Sequence, residues 1–240
     1  MATELLFRDD PYLPETTATV IAVNDRRGII LDRSVFFATG GGQPGDSGAL
    51  RRESDASIPI ATTVYGEDKS DVVHVPTEEA ALPEAGEAVT AAIDWERRHR
   101  HMRVHTALHL LSVVLPYPVT GGQIGADEGR LDFDVDGDMP SKEEMAERLN
   151  DLVAADHAVT ETWISDEELA ASPDLIKTMK VKPPMGSGQV RLIGIGDIDL
   201  QPCGGTHVRS TAEIGPLAIG KVQSKGRQNR RVRIRLADAP

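Results

Sequence analysis

The chain has 240 residues with 26 Lys+Arg against 38 Asp+Glu, a formal charge of −12, which argues against indiscriminate nucleic-acid binding because attraction to phosphate scales with accessible cations. Hydrophobic residues at 40 % and charged residues at 27 % fit a globular protein that buries its own core. One cysteine excludes an internal disulfide framework, and no run approaches the roughly 18 apolar residues of a membrane span, so a cytoplasmic chain without a membrane partner is expected.

Residues 1–94 read as short strands separated by turns. "TATVIAVN" and "GIILDRSVFFAT" form a hairpin with its turn marked by Asp25 and Gly28. "SIPIATTVY", "DVVHVP" and "EAVTAAID" continue the pattern, and many short strands without a helical period predict a small β-barrel or sandwich. The texture changes at Trp95. "DWERRHRHMRVHTALHLLSVVL" has apolar residues at helical spacing, Asp94 as N-cap, and Pro116 and Pro118 as stops. A second helix follows a capping box of Ser141 and Glu144, and a third follows Ser165 and Glu168. "GRLDFDVD" and "AVTETWI" alternate like strands, and "GPLAIGKVQ" and "RRVRIRLAD" pair through the polar turn "SKGRQN". The expected fold class is α+β: a small barrel over 1–94, then an α+β domain over 95–240 with an antiparallel sheet and one long helix.

His105 and His109 lie four apart on that helix, so both imidazoles leave one face about one turn apart. Cys203 and His207 repeat the interval in "PCGGTHV", where Gly204 and Gly205 let the backbone bend. Each pair alone has an ordinary reading, as helix histidines facing core or surface and as a small buried thiol. Together the four offer a borderline-soft N/S donor set that favours Zn²⁺ over Mg²⁺ or Ca²⁺. The two pairs are far apart in sequence, so the fold must bring them together.

"MRVHTALHLL" with "PCGGTHV" resembles the paired H-x-x-x-H and C-x-x-x-H motifs of alanyl-tRNA editing domains, the family shared by AlaX proteins and the editing modules of alanyl- and threonyl-tRNA synthetases. "TGGGQPGDSG" at 39–48 is similar to the glycine-rich motif of the barrel in the longer AlaX proteins, and "SKGRQNRRVRIRL" resembles their closing hairpin. Ala38 departs from the residue expected in the lead-in to the glycines. The resemblance implies the medium-length, free-standing type: a zinc-binding editing domain behind the barrel, one Zn²⁺ on His105, His109, Cys203 and His207, and hydrolysis of the ester joining serine, or glycine, to alanine tRNA.

Further candidates follow from residue chemistry. Thr106 sits between the helix histidines and could donate to substrate, or hydrogen-bond its own helix instead. Gly40, Gly41 and Gly42 permit close backbone approach, and Gln43 offers donor and acceptor to a ribose or amino-acid group; a wide hairpin turn is the plain alternative. Gln123 in "GGQIG" is a further pocket candidate. Arg98 and Arg103 on one segment, and Arg230 and Arg231 on the last hairpin, are read as contacts to the tRNA acceptor backbone. His99 and His101 read as phosphate-facing or solvated, and Trp95 and Trp163 as packing residues. No protein partner is deducible. A non-catalytic, zinc-stapled RNA-binding protein is the alternative function. A zinc hydrolase for some small ester or amide is disfavoured, because Thr106 and not the Glu of an H-E-x-x-H helix follows the first histidine.

Overall fold

The computed structural model describes residues 2–54, 56–67, 70–178 and 188–239. It is a mixture of α and β with antiparallel sheets and a closed barrel, in two compact units, Met1–His99 and Arg100–Pro240.

In the first unit β1 (Glu4–Leu5) and β4 (Arg33–Ser34) form a short parallel pair. The barrel runs β2 (Glu15–Val23), β3 (Ile29–Leu31), β7 (Val72–Pro76), β6 (Ser57–Tyr65), β5 (Gly48–Arg52) and β8 (Ala88–Ile93), which closes on β2 with Glu15 opposite Ala92. Alternate residues point inward. Val20, Leu31, Leu50, Ile58, Ile60, Val89 and Ala91 therefore share one core with Phe36. The run expected as one strand through Thr39 breaks at Asp32, whose carboxylate accepts from the Thr19 and Arg33 amides at 2.7 and 2.9 Å. The preceding turn is organised by Asn24, which accepts from the Arg26 and Gly28 amides, and Arg27 takes the left-handed conformation at φ 67°. Gly28 is needed for closeness instead: a Cβ there would lie 2.3 Å from Val73.

Helix α1 (Trp95–Val114) is capped by Asp94, which accepts from the Arg97 amide at 3.1 Å. The division between the units falls after its first turn. That turn stays with the barrel because Arg97 donates to the Gly45 carbonyl, and Arg98 is fully buried against Asp46. From residue 100 onward, nearly every α1 side chain is buried, polar ones included. Such a helix has no solvent face on which to place its histidines.

The second unit holds a four-stranded sheet, β9 (Val119–Ile124), β10 (Glu128–Asp134), β15 (Asn229–Leu236) and β14 (Leu217–Ser224), in the order β14-β15-β10-β9. Helix α1 lies close on β10: a Cβ on Gly129 would come within 2.6 Å of Val104. Helix α2 (Lys142–Ala154) packs on β14, where Asn150 exchanges hydrogen bonds with the Leu217 backbone. A three-stranded sheet joins β11 (Val159–Ser165), β12 (Gln189–Ile195) and β13 (Asp199–Pro202). Helix α3 (Asp166–Ala171) follows β11, and both expected capping boxes form, at Ser141 and Ser165. No helix among the described residues is long and apolar enough to cross a membrane.

Candidate metal centre

The buried polar side chains of α1 meet the loop that follows β13. Helical spacing puts His105 and His109 on one side, their rings 5.3 Å apart. Strand β13 ends at Pro202, and the Cys203 amide extends its ladder by donating to the Arg191 carbonyl at 3.1 Å. The loop then turns back to α1, where Val208 N–H donates to Thr106 Oγ1 at 3.3 Å. His207 comes to rest with its ring 4.1 Å from His105 and 4.6 Å from His109. Gly204 does not adopt a positive φ, and a Cβ there would meet nothing within 4 Å. Its smallness keeps space open beside Cys203; it is not what bends the loop.

One donor atom from each of His105, His109, Cys203 and His207 lies within 4.8 Å of the others. Cys203 Sγ is 3.4 Å from His105 Nε2 and 3.3 Å from His207 Nε2. A tetrahedron with metal–sulfur bonds near 2.3 Å and metal–nitrogen bonds near 2.0 Å has S···N edges of about 3.5 Å. The four residues therefore fit a divalent ion in spacing and in donor type. Three histidines are buried and Cys203 is half-buried.

The electrostatics favour the ligating forms of two of the four. Burial alone would raise the Cys203 thiol, but the charges of His105 and His207 and hydrogen bonds from His105 and His109 hold it well below its usual range. Burial, then His105, keeps His207 well below the ordinary imidazole value. Burial lowers His109 too, yet Asp199 and Cys203 outweigh it and bring it to about 9. A metal ion at this position would replace that proton as the counter-charge.

His109, His207 and the loop that carries Cys203 have support behind them. His207 Nδ1 is 3.1 Å from Thr106 Oγ1, on the ring side away from Cys203. His109 Nδ1 faces Asp199 Oδ2 at 3.3 Å. Asp199 is excluded from solvent and also takes Gln201 Nε2 at 2.7 Å and the Lys177 ammonium. Burial pushes its carboxyl up, but His109, Lys177 and Gln201 bring it down to about 2. Arg191, itself buried, donates to the Gly205 carbonyl at 2.8 Å and binds Glu161, bracing the loop that carries Cys203 and His207. Sequence reasoning passed over Asp199, Lys177 and Arg191. One signal was readable: Asp199, Gln201 and Cys203 alternate, so a strand places all three on one face.

The remaining candidates are scattered. Gly40 and Gln43 exchange backbone hydrogen bonds at 3.1 and 2.9 Å around Gly41 and Gly42, whose φ values of 58° and 85° fit a tight type I′ turn. The glycines thus have a conformational reason of their own, and the turn is tight where a wide one was the alternative. Gln43 is buried within the first unit. Arg98, expected on a phosphate, spends its guanidinium on Asp46 and the carbonyls of Pro11 and Val35 and is fully enclosed; no RNA reaches it. Arg103 donates to the Ile214 carbonyl and Asp238. Arg230 folds back on the 224–227 turn, while Arg231 forks onto Asp132 at 2.7 and 2.8 Å, so the two diverge. Gln123 is exposed on β9 and accepts from Arg130. His99 is partly exposed and stacks on Trp95, whereas His101 is buried and so is not a solvated, phosphate-facing group. Trp163 is 45 % exposed and does not pack in a core.

Residues 190–233 match the Threonyl and Alanyl tRNA synthetase second additional domain, and residues 12–97 match the tRNA synthetases class II (A) family. Over 98 % of its length the chain is 36 % identical to the alanyl-tRNA editing protein AlaX-M of Methanosarcina acetivorans, covering all of that protein. It is 33 % identical to AlaX-L of Pyrococcus horikoshii over 93 % of this chain and 55 % of the relative. It is 36 % identical to an alanine–tRNA ligase of Pyrobaculum arsenaticum over 92 % of this chain and 25 % of the ligase.

Proposed function

The chain belongs to the family of alanyl-tRNA editing proteins, and from that premise we propose that it is a trans-acting hydrolase that clears wrong amino acids from tRNA(Ala). The substrate is the acceptor end of tRNA(Ala), carrying serine first and glycine second. The observation that carries this reading is the convergence of His105, His109, Cys203 and His207, from two distant stretches, into one donor cluster. In it residues 1–94 are a barrel domain and residues 95–240 the editing domain.

The cluster is assigned to Zn²⁺, since a thiolate and three imidazoles suit a borderline-soft ion. When bound, zinc would polarise the ester carbonyl or acidify a water toward a pKa of about 7. Four protein donors would fill a tetrahedron, so a carbonyl or water would reach the ion only if one donor is weakly held or the coordination expands, and a weakly held fourth donor is the reading favoured here. Cys203 is the least buried of the four, and the approach of substrate is assigned to its side, beside Gly204. With Nε2 turned to the cluster, His207 carries its proton on Nδ1 and donates it to Thr106 Oγ1, which fixes the ring. Thr106 is therefore read as orienting a ligand. Gln43, fully enclosed within the first unit as Arg98 is, is given no contact with substrate here. Water adds to the ester carbonyl, the bond to the terminal ribose oxygen breaks, and that oxygen leaves with a proton.

The outer face of the four-stranded sheet is assigned to the RNA backbone. Arg231, Arg233 and Arg235 alternate with the buried Val232, Ile234 and Leu236 on β15, and Arg130 and Gln123 stand in the neighbouring strands. Asp132 and Glu128 hold Arg231 and Arg233 in place.

The test is to offer purified, zinc-loaded protein tRNA(Ala) charged separately with serine, glycine and alanine. Seryl ester should be hydrolysed fastest and alanyl ester spared; no release from any of the three would overturn the proposal. Repeating the assay after zinc is stripped and restored should abolish and recover turnover, and unchanged turnover without metal would take zinc out of the mechanism.

A further inference from the structure

We infer that Asp199 is a positioning residue: its carboxylate, anchored by Lys177 and Gln201, holds Nδ1 of His109 and aims the opposite ring nitrogen at the donor cluster. This rests on the reading of the cluster as a metal site.

An imidazole that ligates through one nitrogen keeps a proton on the other, and a buried donor needs an acceptor. His109 Nδ1 is buried, and the Asp199 oxygen at 3.3 Å lies within ion-pair reach while its angle misses hydrogen-bond geometry. The carboxylate is already fixed from behind. Its Oδ1 takes the Lys177 ammonium, its Oδ2 takes Gln201 Nε2, and Gln201 in turn reaches Ser112 Oγ on α1 at 3.4 Å. Ser112 donates to the His109 carbonyl at 2.8 Å, so the network returns to the residue it serves. Lys177 is itself tethered, because its carbonyl accepts from the Val119 amide at 2.9 Å.

A plain structural ion pair accounts for less. Enclosing a carboxylate completely is unfavourable unless its oxygens are well paired, and Lys177 is 29 % exposed and could have met an acid at the surface. The acid instead sits at the one place where it touches a ring of the cluster. A carboxylate behind a ligating imidazole makes it a better donor, and Lys177 offsets the added negative charge.

The experiment measures zinc affinity by chelator competition, and the visible absorption of the cobalt-loaded protein, for wild type, Asp199→Asn, Asp199→Ala and Lys177→Gln, each first checked for native far-UV circular dichroism. Asp199→Ala should lose on the order of 10–100-fold in zinc affinity. Asp199→Asn, which keeps one acceptor oxygen, should lose less. The cobalt bands of both should shift, which a general loss of stability would not produce. Lys177→Gln retains the carboxylate without its anchor and should weaken zinc binding in the same direction by a smaller factor; it decides the matter if the Asp199 variants do not fold. Wild-type affinity and an unshifted spectrum in every folded variant would overturn the inference while leaving the metal site standing. A wild-type protein that takes up neither zinc nor cobalt would overturn the metal reading itself, and this inference with it.

Discussion

Acidification should loosen the barrel through His74, and the size of the effect follows from its surroundings. The imidazole is fully buried, its Nδ1 donating to the Ile29 carbonyl at 3.0 Å and its Nε2 2.8 Å from Ser34 Oγ. A carbonyl only accepts, so the neutral ring carries its proton on Nδ1 and leaves Nε2 to accept from the Ser34 hydroxyl. Burial accordingly pushes His74 from 6.5 down to about 4, against a small upward pull from Ile29. The folded state then binds fewer protons than the unfolded state between these values. The barrel is at full strength above pH 6.5 and weakens as pH falls toward 4, by about 1.4 kcal/mol per pH unit and roughly 3 kcal/mol in all. The assay is urea unfolding followed by Trp95 fluorescence, since Trp95 packs against the barrel core, in a Trp163→Phe background. His74→Gln can still donate to Ile29 and accept from Ser34 without titrating. Its disadvantage relative to wild type should shrink by about 2 kcal/mol between pH 6.5 and 5. A difference that stays constant from pH 7.5 to 4.5 would refute the argument.

Three further outcomes are expected. Arg98→Met leaves Asp46 buried without its counter-charge and should destabilise the first unit by about 3–5 kcal/mol, read by the same unfolding assay; a midpoint within error of wild type would show the pair to be dispensable. Thr106→Val preserves shape but removes the acceptor behind His207 Nδ1, so zinc affinity should fall by about tenfold with the fold retained; equal affinity would deny Thr106 an orienting role. Arg233→Gln on the outer sheet face should weaken tRNA binding and lower the steepness of its salt dependence by about one counterion; an unaltered slope would remove this face from the RNA contact.

The fold was legible where local chemistry settles it. Asp94, Ser141 and Ser165 announce helix starts because each side chain can accept a backbone N–H within three residues, and all three do so. Strand alternation likewise gave the barrel strands except β5, and the last hairpin, with Val232, Ile234 and Leu236 inward. Strands β9 and β12 were hidden for opposite reasons. Gly121 and Gly122 interrupt β9 with residues that usually mark turns. Strand β12 is buried on both faces, so "QVRLIGI" has no polar alternation to display.

At the site, spacing found the ligand candidates but misjudged the arginines. A histidine pair four apart on a helix and a Cys–His pair four apart in a loop each specify a direction, and both directions meet. Arginine carries no such information. Arg98, Arg103 and Arg231 look alike in a sequence, yet one is sealed against Asp46, one clamps the Ile214 carbonyl and Asp238, and one forks onto Asp132 on an open sheet face. What separates them is the partner acid, which lies 52 residues from Arg98 and 99 from Arg231. The same holds for the residues that steady the cluster. Asp199 is 90 positions from His109 by number, and nothing local to either announces the other; the face they share is made only when β13 is laid against α1. A long-range carboxylate of this kind becomes visible in sequence only by working outward from the ligands, asking of each imidazole what must hold its second nitrogen. Applied to His207 that question leads to Thr106, and applied to His109 it leads to Asp199.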